Sequence, residues 1–249
     1  MTAMARIITS EWRKLRSTPT TWWLLAGAVL LCAAGAVGGL MVADIGNRPL
    51  NTGEGLQTAL HAVGAGAILA EVAGIIGMAG EFRFGQADQT FLSEPRRGRV
   101  LAAKVVVFTA VGLVFGVVSA AATLAASWSW LSAKGVGLPF GQPVIWSSMG
   151  GGVASAALSA LFGVAVGAVL RNQVVAIVTV LAVQAGVESA VFQASRSVGR
   201  WLPGRASEAL RQLATDGLLS WRMGAIVLSA WVAGLLAAGA IRTLRTDVT

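Results

Sequence analysis

The chain of 249 residues contains no tyrosine, one cysteine and one histidine, and only 12% of its residues are charged. Soluble domains carry roughly 25% charged residues, so this chain has too few to clothe an ordinary soluble globule. Cys32 stands alone, which excludes an intramolecular disulfide, and with His61 as the sole histidine no Cys/His zinc site can be built. Cys32 lies in an apolar run and reads as a small buried hydrophobe. No G-x-x-x-x-G-K-[ST] phosphate loop is present, so ATP hydrolysis by this chain alone is not expected. There is no H-E-x-x-H, and no serine that the sequence pairs with a histidine and an acid. The chain therefore does not read as an enzyme, and no metal site is expected in it.

What is abundant is apolar. Hydrophobic residues make up 55% of the chain, with 31 glycines and 9 tryptophans, and the mean hydropathy is +0.72. Disorder is excluded by the same numbers. Residues 17–43, 105–133, 135–170 and 223–241 carry no charge at all. Residues 56–80 contain only His61 and Glu71 as titratable side chains, and residues 173–192 only Glu188, with Gln184 one helical turn before it. A span needs about 20 mostly apolar residues. The pattern predicts an all-α polytopic membrane protein with six transmembrane helices at roughly 22–43, 56–80, 101–125, 148–170, 173–192 and 222–241. Long continuous runs exclude the alternating strands of a β-barrel. The first apolar run is too long for a signal peptide and reads as a retained span.

The formal net charge of +8 falls in the loops, which suits a membrane protein better than a nucleic-acid binder. Arg6, Arg13, Lys14 and Arg16 precede the first span, and Arg83, Arg96, Arg97 and Arg99 fill the second loop. Arg171 marks the fourth loop and Arg242 and Arg245 the C-terminus, whereas the first and third loops hold only Arg48 and Lys134. Positive residues collect on the cytoplasmic side, so both termini are expected in the cytosol. The fifth loop, 193–221, breaks this pattern with Arg196, Arg200, Arg205 and Arg211, although six spans place it outside.

Residues 1–20 read as a cytoplasmic amphipathic elbow and 21–249 as the transmembrane domain. Met4, Ile8, Trp12 and Leu15 recur at helical spacing, with Arg6, Ser10, Arg13 and Lys14 largely opposite. Such a helix lies in the interface, Trp12 at headgroup depth and Arg13 and Lys14 near anionic lipid. Pro19 then ends the pattern before Trp22 and Trp23. Small residues four apart predict close helix packing: Gly66, Ala70 and Gly74; Gly112, Gly116 and Ala120; Gly151 through Gly167; and Ala230, Gly234 and Ala238. In the second loop, 81–100, Phe84, Ala87, Phe91 and Leu92 fall on one face of a short helix between Gly85 and Pro95. That face needs a cover, either a partner protein or the bundle itself. In the fifth loop Leu202-Pro203-Gly204 turns into a short amphipathic helix over 206–213, expected as an outer cap.

Glu71, Gln184 and Glu188 are polar groups inside spans. Carboxylates in hydrocarbon are costly and face protein or water. Gln184 and Glu188 are four apart, on one helix face. Two readings stay open: the lining of a pathway, or hydrogen bonds that fix helix packing.

The segment Glu81-x-Arg83-x-Gly85, then Thr90-Phe91-Leu92, then Pro95-Arg96-Arg97-Gly98-Arg99-Val100 and Lys104 resembles the membrane-spanning permease subunits of ABC-2-type ABC transporters, particularly actinobacterial ones. Gln86 departs from the threonine common after the loop glycine. The basic amphipathic N-terminus and the six-span layout extend the likeness over most of the chain. The resemblance implies a bacterial inner-membrane exporter subunit that pairs with a second permease subunit, identical or related. It implies a separate cytosolic ATP-binding subunit, which holds ATP and Mg, and coupling to it through Glu81, Arg83, Gly85, Phe91, Leu92, Pro95 and Arg96. A hydrophobic or amphipathic cargo (drug, peptide or lipid) is the implied substrate. The alternative is a membrane scaffold or regulator that transports nothing.

Overall fold

The computed structural model describes residues 3–46, 52–83, 97–212 and 215–245, and every regular element among them is helical. Helix α1 is Ala3–Ser17 and α2 is Pro19–Ile45. Between them Thr18 is extended, and Pro19 opens α2 at a position where its missing N–H costs nothing. The expected elbow is therefore present. Helix α3, Gly53–Leu60, starts on the Thr52 hydroxyl, which accepts from the Gly55 N–H at 3.4 Å. A 3-10 turn over His61–Val63 joins it to α4, Gly64–Arg83.

Helices α5, Arg97–Ala133, and α6, Pro143–Leu170, follow. Arg171 ends α6 in the left-handed region at φ 56°, and the Asn172 side chain caps the next helix by accepting from the Val175 N–H at 3.1 Å. Two residues thus reverse the chain. Helix α7, Gln173–Ala182, passes through a π-helical turn, Val183–Val187, into α8, Glu188–Ala194. Two short helices come next, α9, Arg196–Gly199, and α10, Pro203–Leu210, before α11, Trp221–Arg245.

Among the described residues six segments are long and apolar enough to cross a membrane: Pro19–Ile45, Gly55–Glu81, Gly98–Ala133, Pro143–Leu170, Gln173–Ala194 and Trp221–Arg242. Each coincides with an expected span. The second and fourth form the centre, with 67% of each window buried, against 17% for the fifth and 28% for the first and sixth. Glycine makes the central contact possible. A Cβ on Gly74 would collide with the Ala160 carbonyl, and one on Gly163 with the Glu71 carbonyl. Backbones that close pack well in lipid, where dispersion and shape replace the hydrophobic effect.

Not every small-residue ladder does this. Ala230, Gly234 and Ala238 on α11 face outward, and nothing within the chain approaches Gly234. Most exposed tryptophans lie near helix ends: Trp22 and Trp23 where α2 begins, Trp128 towards the C-terminal end of α5, and Trp146 and Trp221 where α6 and α11 begin, with Trp231 of mid-α11 an exception. This is the distribution of interfacial anchors. The chain is a membrane-embedded helical bundle.

The fifth connection differs from expectation. Its helix exists, but α10 is a wedge and not a cap. Pro203, Ala206, Ser207, Ala209 and Leu210 are buried. Ser207 hydrogen-bonds Ser155 at 2.6 Å, and Ser155 sits near the midpoint of α6. A Cβ on Gly151 would strike the Leu210 carbonyl, and one on Gly224 would come within 2.8 Å of the Ala206 carbonyl. Small residues on both flanking helices admit α10 into the bundle. Backbone of this kind is tolerated at such depth because protein surrounds it.

Candidate functional site

Two buried polar clusters stand out, one where α1 meets the bundle and one beside the wedge.

The first cluster contains Glu11, Lys14, Glu81 and Lys104. Helix α1 lies on the bundle through Ile8 and Leu15, which pack against a core containing Phe108 and Val111. That orientation carries Glu11 inward, to 4% exposure. Lys104 lies one turn and more into α5, at 1% exposure. Its Nζ donates to Glu11 Oε2 at 2.6 Å and to the Gly77 carbonyl at 3.2 Å, and lies 2.9 Å from Glu81 Oε1. Lys14 Nζ donates to Glu11 Oε1 at 2.7 Å and to Glu81 Oε1 at 2.9 Å. Two carboxylates thus meet two ammoniums, and the charges cancel. Burial pushes the Glu11 carboxyl up, but Lys104 and Lys14 more than offset this and hold it below its ordinary 4.5. Burial pushes the Lys14 ammonium down, but Glu11 and Glu81 more than offset this and hold it above 10.5.

The sequence pointed to Glu81 and Lys14 but not to their being partners. Lys14 turns to carboxylates, leaving Trp12 and Arg13 on the exposed side of α1. Glu11 was missed. Its only signals were its place as the one acid in a basic helix and the i,i+3 spacing to Lys14. Arg83 ends α4, and its side chain lies outside the described residues, as do Gly85, Phe91, Leu92, Pro95 and Arg96 with the expected short helix.

The second cluster assembles Glu71 from α4, Gln184 from the π turn, Glu188 from α8 and the wedge. Gln184 Nε2 donates to both oxygens of Glu71, at 3.0 and 3.1 Å. Glu188 is 1% exposed, and its Oε2 accepts the Arg205 N–H at 3.3 Å, which caps the first turn of α10. Its Oε1 has no hydrogen-bond partner among the described residues. Arg205 is occupied elsewhere. Its Nη1 reaches Glu208 Oε2 at 2.7 Å, its Nη2 donates to Ser189 Oγ at 2.8 Å, and its guanidinium stacks over Phe192 at 5.0 Å. Burial pushes the Arg211 guanidinium below its ordinary range, Glu208 opposing and Arg205 adding to the effect.

These groups surround a cavity of about 260 Å³, into which Glu71, Gln184, Glu188, Arg205, Glu208 and Arg211 all face. Ile68 and Leu181, both exposed on the outer surface, also line it. Buried Ala67, Phe162 and Leu228 line it as well, so its wall mixes polar and apolar groups. Glu71 bonds across helices, and Glu188 both caps a helix and lines a cavity. Three of the four arginines that broke the loop pattern have a place in the fold: Arg205 and Arg211 face the cavity, and Arg200 lies over Trp201 at 5.7 Å. Comparison with protein families finds none that the chain matches, and comparison with curated proteins finds no match.

Proposed function

We propose that this chain is the membrane-spanning subunit of an ATP-driven exporter of the ABC-2 type, set in a bacterial inner membrane with both termini in the cytosol. It pairs with a second permease subunit, identical or related, and with a separate ATP-binding subunit that holds ATP and Mg. The cargo is hydrophobic or amphipathic. The observation that supports this most is the four-charge cluster. Glu81 lies three residues before segment 84–96 and Lys104 eight residues after it, and both are tied to α1 through Lys14 and Glu11. A push on residues 84–96 then has a rigid route into α1, α4 and α5 together. Glu81 acts as a link inside that route, and Arg83, Gly85, Phe91, Leu92, Pro95 and Arg96 belong to the surface that meets the ATPase.

Co-purification with the candidate ATPase tests the reading. Replacing Leu92 by Asp places an unpaired charge in an apolar contact and is expected to release the ATPase while the bundle stays folded. Retention of the ATPase at wild-type yield contradicts the docking surface. A reconstituted complex that turns over ATP without moving any drug, peptide or lipid favours a scaffold or regulator instead.

A further inference from the structure

We propose that the cavity between α4, α7–α8 and the wedge is a binding site for an alkylammonium group, with the ligand's apolar chain lying over Ile68 and Leu181. This rests on the exporter reading only for its purpose, because it would name the cargo as a cationic amphiphile; the site itself stands on geometry.

Charge is the first reason. Three carboxylates, Glu71, Glu188 and Glu208, and two guanidiniums, Arg205 and Arg211, face the cavity. Arg205 is held by Glu208 and Ser189. Glu71 meets only an amide, and Glu188 only backbone N–H from the wedge. Among the described residues neither is in an ion pair, although the Arg205 charge acts on Glu188 and Arg211 faces the same cavity; both are at least 97% buried, with exposures of 3% and 1%. A carboxylate so placed is costly without a charged or hydrogen-bonding partner. The second reason is the orphan acceptor. Glu188 Oε1 is buried, lines the cavity and has no hydrogen-bond partner among the described residues. An ammonium brings three N–H donors and a positive charge. Glu188 Oε1 takes one donor, and Glu71, across the cavity, supplies a second acceptor.

Shape selects the rest of the ligand. About 260 Å³ admits a headgroup with several waters. Ile68 and Leu181 continue from the cavity onto exposed surface within the spans. A ligand polar at one end and apolar at the other matches both surfaces. The exposed valines of the same helix, Val174, Val175 and Val178, extend that apolar surface beyond Leu181.

The test needs no ATPase. The full chain in lipid nanodiscs is treated with excess hydrophobic carbodiimide, and total modification of Glu71 and Glu188, as acylurea or as alkylamide, is followed by mass spectrometry. Decylamine is expected to slow modification of Glu188 by tenfold or more, whereas decanol and decanoate at equal membrane loading leave it unchanged. Equal protection by decanol would overturn the proposal, because an apolar chain alone would then fill the cavity. Equal protection by sodium chloride would overturn the amphiphile, leaving an inorganic-cation site. In Glu71→Gln the decylamine needed to protect Glu188 is expected to rise at least tenfold; an unchanged requirement would overturn the two-carboxylate site. Glu188→Gln, read by protection of Glu71, gives the same test should the first variant fold poorly. Protection without ATP-driven transport of decylamine in the reconstituted complex counts against the exporter reading and not against the site. Transport without protection does the reverse.

Discussion

The two polar clusters bury comparable amounts of charge and resolve it in opposite ways. At the α1 end, Glu11 and Glu81 meet Lys14 and Lys104 within 2.9 Å, and every charge has an opposite neighbour. Beside the wedge, Glu71 and Glu188 meet an amide and a backbone N–H, and one carboxylate oxygen has no hydrogen-bond partner among the described residues. The first arrangement is closed and behaves as a joint. The second has a cavity and an unmet acceptor, the mark of a site with something still to bind. Burying a charge is tolerable when geometry supplies its partner, so the difference separates structural charge from functional charge within one bundle.

Breaking the joint is expected to have the largest effect. Lys104→Met leaves Glu11 and Glu81 facing each other with only Lys14 between them. Loss of one partner from a buried pair costs about 3–5 kcal/mol. Thermal unfolding in detergent is expected to shift strongly, and α1 to lose protection in hydrogen exchange. Adding Glu11→Leu is expected to recover part of the loss, because the stranded carboxylate is removed with its partner. A double mutant as unstable as the sum of the singles would show that the two residues act independently.

The wedge is expected to respond less. Ser155→Ala removes a buried hydrogen bond and leaves the Ser207 hydroxyl without it, costing about 1–3 kcal/mol. The effect is expected in hydrogen exchange of residues 203–210, with α1 unmoved. Equal loosening of α1 would mean that the two regions are one cooperative unit.

Acidity and alkalinity separate the clusters further. The Glu11 carboxyl is depressed below 4.5 in the folded chain, so its contribution is full above that value and is lost as pH falls through the folded value. The Lys14 ammonium is raised above 10.5, so its contribution is full below that value and is lost as pH rises through the folded one. Docking of α1 is therefore expected to be flat between these limits and to weaken outside them. Exchange rates over residues 3–17, corrected for intrinsic pH dependence, measure this. Weakening near neutral pH would contradict it.

The smallest effect is expected at the surface. Lys134 and Asp44 pair at 2.9 Å but are about half exposed. Lys134→Ala is expected to change stability by under about 1 kcal/mol, and a larger change would blur the contrast between open and buried pairs.

The six spans were legible because their signal is additive: long stretches without charge admit one environment. Elbow and span limits followed from Pro19, Arg171 and runs that end at charges. What escaped the sequence was pairwise. Glu11 and Lys104 are 93 positions apart, and no local pattern joins them. Lys104 sat near the start of an apolar run and was readable as a flank, whereas depth and the Gly77 carbonyl make it a joint. Helix α10 was readable as amphipathic, but its direction was not. Ala206, Ser207 and Ala209 suit a packed face as well as a cap, and only the gaps at Gly151 and Gly224 decide it. Glu71 and Glu188 were recognised as costly, while the cavity that joins them depends on the π turn and the wedge together.

The contrast between joint and site rests on Glu188, and carbodiimide modification of that residue in the intact chain tests it most directly. Decylamine is expected to protect Glu188 at least tenfold while decanol and sodium chloride do not. Protection that is absent, or that decanol or sodium chloride matches, would contradict a site for an alkylammonium ligand beside the wedge.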